Sequence, residues 1–314
     1  MKPRTVVAIL VLVAVAATVG AAVPPFLAAS NPKVLTVATT TSTVDTGLLD
    51  HLNSAFTEKH DIPVRVLSVG TGQALEYGKR GDVDMVLVHA RPLEEAFVND
   101  GFGVHRVGIM YNDFIILGPR GDPADLHDAT SVADAFNRIA EAGAEGRTFF
   151  VSRGDKSGTH MKELSIWNTA HITSQGQRWY VEAGGGMGST LLVADDKEAY
   201  TLSDRGTFAS YGAQLDIGIV FEGGVDLLNP YGAILVNPEL HPDAQYDLAV
   251  AYVAFLVSDD GQKLISDFEK NGQHLFIPIA QDYSAAERLG FPSQREEVSF
   301  YLSRAGEIEA MKLG

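Results

Sequence analysis

Ser152-Arg153-Gly154-Asp155-Lys156-Ser157-Gly158-Thr159-His160 is the stretch on which the reading of this sequence turns. An apolar run suited to a strand, Thr148-Phe149-Phe150-Val151, leads into it, and a helical pattern over residues 161–169 leads out. A loop that opens a helix leaves backbone N–H groups unpaired at the positive end of the helix dipole. Arg153 adds a forked cationic donor beside the hydroxyls of Ser157 and Thr159, so the stretch is a candidate anion site.

Two earlier units repeat the arrangement of strand, hydroxyl-rich loop and helix. Val34-Leu35-Thr36-Val37-Ala38 runs into Thr39-Thr40-Thr41-Ser42-Thr43, after which Leu48, Leu49, Leu52, Ala55 and Phe56 recur at helical spacing. Ser42 with Asp45 fits a helix start resembling a capping box, but so long a run of hydroxyls exceeds what one cap needs. Val64-Arg65-Val66-Leu67 then meets Ser68-Val69-Gly70-Thr71-Gly72 and a short helix over residues 73–80. Gly70-Thr71-Gly72 begins like a dinucleotide fingerprint, yet neither the third glycine nor the acidic residue at the next strand end follows. A third strand, residues 83–88, ends at His89-Ala90-Arg91-Pro92, with Pro92 opening a helix and His89 facing either a ligand or the core. Apolar runs at 106–110 and 114–118 flank a polar break, Tyr111-Asn112-Asp113, as suits a strand that leaves one lobe for another.

Beyond a turn at residues 119–123, an amphipathic helix is expected over residues 131–142. Gly184-Gly185-Gly186-Met187-Gly188-Ser189-Thr190 either cradles an anion or lets a loop close, ahead of a helix over residues 191–199. Residues 200–207 read as a short strand feeding a capped helix, with Arg205 paired to Asp204 or another residue of its lobe rather than to a ligand. Strands follow at 217–221 and 231–236, then an apolar helix opened by Pro242, a helix at 259–268 and the run Phe276-Ile277-Pro278-Ile279. Strands alternating with helices argue an α/β architecture with largely parallel sheets.

With 314 residues, 46% of them hydrophobic, the chain is large enough for two domains. A net charge of -16 excludes a nucleic-acid partner and repels anions at long range, so an anion must be held by local donors. The lack of cysteine removes disulfides, thiolate metal sites, cysteine nucleophiles and a lipid-modified N-terminal cysteine. Lys2 and Arg4 precede an apolar run at 6–19 and small residues up to Ala29. Residues 1–30 are thus a signal peptide cleaved before Ser30 or an uncleaved anchor, and either places the remainder outside the cytoplasmic membrane.

Catalytic arrangements are not found. There is no Gly-x-Ser-x-Gly elbow, the histidines lack metal-ligand spacing, and Ser157 beside Lys156 and His160 does not make a triad. Arg153-Gly154-Asp155 spells an adhesion tripeptide, but three residues recur by chance too readily to count. No catalytic residue and no metal ligand is assigned.

Together, Thr39-Thr40-Thr41-Ser42, Val69-Gly70-Thr71-Gly72-Gln73-Ala74-Leu75, Tyr111-Asn112-Asp113-Phe114 and the opening stretch resemble the tungstate-binding component of ABC transporters. The resemblance continues through Gly186-Met187-Gly188 and Leu202-Ser203-Asp204-Arg205-Gly206-Thr207, and so covers most of the chain after the N-terminal segment. It implies an α/β, two-lobed periplasmic-binding-protein fold of type II, with the ligand cleft between lobes: residues 31–117 and 232–314 in the first, 118–231 in the second. It implies a monomeric extracytoplasmic protein that captures tungstate or molybdate, uses no cofactor, and delivers its ligand to a membrane permease. The donors on this reading are Thr40, Thr41, Ser42, Thr71, Arg153, Ser157, Gly158 and Thr159, with the choice inside residues 39–43 left open. Phosphate-binding proteins carry a similar loop and are the alternative; a phosphoester-processing enzyme is a further one. Phosphate keeps a proton near neutral pH and calls for a carboxylate acceptor, whereas tungstate and molybdate need donors alone. The strand before His89-Ala90 ends without a carboxylate, and Asp155 is expected to hold Arg153 rather than to touch the ligand.

Overall fold

The computed structural model describes residues 34–312, without the side chains of Ser42 and of residues 305–312. The expected signal peptide or anchor lies outside the described residues. β1 (Leu35–Thr40) is buried along its whole length, as a strand covered on both faces must be. It is followed by α1 (Thr41–Asp45), α2 (Leu48–His60), β2 (Val64–Val69), α3 (Thr71–Arg80), β3 (Met85–Val88) and α4 (Arg91–Asn99). β2 and β3 flank β1 and run parallel to it. The helices that follow each of these strands, α1, α3 and α4, therefore start at one edge of the sheet, outside the carboxyl ends of the strands.

The chain continues as β4 (Gly103–Gly118), α5 (Val132–Ala144), β5 (Phe150–Ser152), α6 (Gly158–Thr169), β6 (Tyr180–Glu182), α7 (Met187–Asp196), β7 (Thr201–Asp204), α8 (Arg205–Tyr211), β8 (Gly218–Phe221) and β9 (Leu228–Val236). It closes with α9 (Tyr246–Val257), α10 (Asp259–Asp267), a hairpin of β10 (Glu269–Lys270) and β11 (Gln273–His274), β12 (Ile277–Pro278), α11 (Tyr283–Arg288) and α12 (Gln294–Lys312). β4 is the spine. Its residues 103–113 pair with β9, and its residues 114–118 with β7 and β8. The two runs expected around Tyr111-Asn112-Asp113 are one strand because the polar break is satisfied sideways. Asn112 accepts from Asn229 Nδ2 at 2.7 Å, and Asp113 receives both arms of Arg205 at 2.8 and 2.6 Å.

The expectation of largely parallel sheets needs correction. Among the described strands, only β1–β2, β1–β3 and β5–β6 run parallel, and every pairing of β4 and β9 is antiparallel. β9 inserts between β3 and β4, giving the order β12-β4-β9-β3-β1-β2. Such a returning strand needs no crossover helix, so alternation of elements alone could not reveal its direction.

Alternate residues of β1 and β3 feed opposite faces. Val37, Met85 and Leu87 meet Leu52, Phe56, Tyr252 and Ile265 on one side. Ala38, Val86 and Val88 meet Ala74, Leu75 and Phe97 on the other. A separate core of Phe136, Phe150, Trp167, Tyr180 and Tyr200 joins α5, α6 and the β5–β6 pair.

Several boundaries are set by caps and turns rather than by apolar periodicity. α6 starts at Gly158 under a Ser157 cap, three residues ahead of the apolar pattern, and α7 starts at Met187 rather than 191. α9 starts at Tyr246, not at Pro242. Ser42 and Asp45, expected to open a helix, both lie inside α1, and Gly47, at φ 87, separates α1 from α2.

Gln294 shows how the last helix is locked to the spine. Fully buried, it accepts from Gly108 N–H at 2.8 Å and donates to the Gly108 and Ala280 carbonyls at 2.7 and 3.1 Å. Gln294→Ala leaves those backbone groups unpaired and should lower stability by about 2–3 kcal/mol, read as a fall in the urea midpoint.

Candidate functional site

Ser157 caps α6 by accepting the His160 N–H at 3.3 Å, and the first i→i−4 bond runs from Met161 N–H to Ser157 O at 2.9 Å. The amides of Gly158 and Thr159 thus precede the helical ladder. Arg153, only 5% exposed, extends Nη2 to Asp155 Oδ2 at 2.6 Å. Asp155 Oδ1 accepts the Ser157 N–H at 3.0 Å. Asp155 therefore braces Arg153, as the sequence suggested. Burial pushes its carboxyl up, but the bonds from Ser157 and the Arg153 charge outweigh that, and its pKa lies below the ordinary value.

A buried polar atom without a partner is rare in a folded interior. Here Thr71 Oγ1, Arg153 Nε and Thr159 Oγ1 are such atoms, and so is His160 Nε2. Arg106 Nη2 also lacks a well-aligned bond, but lies 2.8 Å from Glu94 Oε2 in an ion pair. Each unpartnered group can donate, and no carboxylate oxygen is among them. Thr71 is the first residue of α3, whose ladder opens with Ala74 N–H to Gly70 O at 2.9 Å. Its hydroxyl therefore sits beside free amides of the same helix start.

The threonine run divides. Thr39 donates to Leu87 O at 2.7 Å and serves the sheet. Thr40 Oγ1 lies 2.8 Å from Thr43 Oγ1, at the junction of β1 and α1. Thr41 opens α1 and is half-buried, while the side chain of Ser42 is not described. The Ser157 hydroxyl gives a lone pair to its cap, and the same side chain also bonds to Asp155.

His89 joins the β3 end to the start of α6. An added Cβ on Gly158 would lie 2.5 Å from His89 Cε1, so only glycine allows this approach. Asn229 gives Nδ2 to Asn112 and so turns Oδ1 toward His89 Nδ1, 2.8 Å away. Nδ1 is then the protonated nitrogen. Burial, and then the Arg153 charge, push the imidazole down to about 4 against the pull of the Asn229 bond, so His89 is neutral near pH 7.

Asp204 is fully buried and caps α8, taking the Thr207 N–H at 2.8 Å and the Thr207 hydroxyl at 2.7 Å. Burial raises its pKa against the effects of Thr207 and Arg153. Arg205 is structural, as expected, but its partners are Asp113 and Glu222 rather than Asp204. The hydroxyls of Ser189 and Thr190 bond back to Gly186 O, so the glycine-rich stretch is a self-tied start of α7. A cavity of about 460 Å³ opens beside the His89–Gly158 contact, but Gly158 is the only expected donor that lines it. Thr71, Arg153 and Thr159 are not among its lining residues. The sequence reading expected a capped helix at α8 without naming Asp204 as its cap, and it gave His160 no role.

Residues 27–260 match the PBP superfamily domain. The tungstate-binding protein TupA of Peptoclostridium acidaminophilum is 44% identical over 248 residues, which span 78% of this chain and 85% of that protein. The crystal structure of the tungstate ABC transporter from Geobacter sulfurreducens is 48% identical with a TM-score of 0.68, covering 75% of this chain and 99% of that one. The tungstate binding protein TupA from Desulfovibrio alaskensis G20 is 45% identical with a TM-score of 0.69, covering 78% and 98%. The α/β architecture is the type II periplasmic-binding fold. The chain belongs to the PBP superfamily and, within it, to the family of tungstate-binding proteins named TupA.

Proposed function

We propose that this protein captures a fully deprotonated tetrahedral oxyanion, tungstate or molybdate, outside the cytoplasmic membrane and delivers it to the permease of an ABC transporter. One observation carries the reading: Thr71 Oγ1, Arg153 Nε and Thr159 Oγ1 are buried donors without acceptors, unmatched by any unpartnered buried carboxylate oxygen among the described residues. An ion with only acceptor oxygens satisfies all three. Thr40, Thr41, Ser42, Ser157 and the Gly158 amide complete the proposed set, and Arg153 supplies the charge.

The proposed lobes are residues 31–117 with 232–314, and 118–231, hinged near residues 115–119 and 230–236. The protein binds as a monomer and performs no chemistry on its ligand, since no general base is free beside the donors. The names and identities of the relatives support this reading, as does the shared fold. Phosphate is the weaker alternative. Its proton requires an acceptor, and no buried carboxylate oxygen among the described residues lacks a partner.

Thr71→Val removes an unsatisfied buried hydroxyl at nearly constant shape. It should leave the ligand-free protein as stable or more stable by about 1 kcal/mol, while Arg153→Ala and Thr71→Val both weaken tungstate at least about tenfold by calorimetry. A stabilised Thr71→Val with unchanged affinity would remove that residue from the site. In a thermal-shift panel, tungstate and molybdate should raise the melting temperature and phosphate should not, because a ligand that binds only the native state stabilises it. A shift with phosphate alone sinks the proposal.

A further inference from the structure

His160 lies one residue beyond Thr159 in the first turn of α6, and the binding scheme does not use it. Its ring is buried, and its Nδ1 lies 2.9 Å from the backbone N–H of Lys156. An amide N–H can only donate, so Nδ1 accepts, and the neutral ring carries its hydrogen on Nε2. That Nε2–H is buried and has no partner. The ring tolerates an unpaired donor on one side to keep an acceptor on the other.

The group held by that acceptor is unusual. Lys156 has φ 59, in the left-handed region that side chains other than glycine, asparagine and aspartate seldom adopt. Gly154, at φ 65, makes the matching turn on the other side of Asp155. Between them, Asp155 divides its carboxylate between Arg153 Nη2 and the Ser157 N–H. We infer that His160 is a positioning residue for anion binding: through Nδ1 its neutral imidazole holds Lys156 in the left-handed turn, and so fixes Asp155, Arg153 and the start of α6 in their gripping arrangement. The inference rests on the oxyanion reading of this site and adds its control by protonation.

Protonation would place a hydrogen on Nδ1, directly against the Lys156 N–H, and the brace would be lost. The charged groups around the ring act in both directions. Burial most strongly, then Arg153 and Lys156, disfavour the imidazolium, while Asp155 and Glu182 favour it, and the net shift is below the ordinary histidine value. A histidine so depressed lends its stabilisation fully above its unfolded-state pKa and loses it as pH falls through the folded one. Acid should therefore loosen the loop. A positively charged His160 acting as a simple attractor would do the reverse, because a dianion would draw the proton on.

The test is calorimetric titration of the full chain with dilute molybdate between about pH 8 and about pH 5.5. Wild-type affinity should fall toward the acid end of that range, by less than about tenfold, because a ring depressed below the ordinary histidine value is only partly protonated there. His160→Asn returns an acceptor to the position of Nδ1 and should keep affinity within about threefold at the upper pH, with a flat profile. His160→Gln, which reaches only the Nε2 position, should lose about tenfold, as should His160→Ala. Rescue by Gln instead of Asn, or wild-type affinity that rises in acid, overturns the inference. If a variant fails to fold by thermal melting, the direction of the wild-type profile alone decides. Wild type that binds neither molybdate nor tungstate at the upper pH strikes the oxyanion reading itself, an outcome separate from any pattern among the variants.

Discussion

The contact on which the rest depends is the carboxylate of Asp155, shared between Arg153 and the Ser157 amide at 2.6 and 3.0 Å. A guanidinium in the interior needs a partner, yet a partner that took every donor would leave nothing for a ligand. Asp155 engages one arm and leaves Nε unpaired. The same carboxylate holds the residue that caps α6, so the charged group and the helix start are set by one side chain. Neither could shift without moving the other.

Beneath this loop lies a neutral polar floor. His89, Asn229, Asn112 and Tyr231 link the end of β3 to β9 and β4 through buried hydrogen bonds. Each amide has its orientation forced by its neighbour, which fixes the tautomer of His89 and keeps it from presenting a charge. Gly158 rests on that imidazole without a side chain between them. The floor therefore contributes shape and dryness, and Arg153 contributes the charge.

Much of this was legible because the sequence writes its turns plainly. Clusters of Ser, Thr and Gly between apolar runs marked that a helix opens after each of β1, β2 and β5, and Asp155 beside Arg153 announced its own partner. What stayed hidden depends on contacts between distant segments. The continuity of β4 rests on Asn229 and Arg205, which lie far along the chain. The mixed sheet follows from where β9 inserts, which no local pattern encodes. Ser157 capped α6 earlier than its apolar face could indicate, and the role of His160 comes from one backbone amide folded back onto its ring.

The burial of Arg153 beside Asp155 also bears on kinetics. Seen from a distance, the pair is close to neutral, and the net charge of -16 on the chain dominates the field an approaching anion meets. Capture thus begins uphill, and added salt screens the barrier over roughly 8–10 Å while hardly touching contacts sealed inside. Where most charged ligands are collected more slowly as ionic strength rises, this protein should collect its ligand faster, with the rate of release little changed.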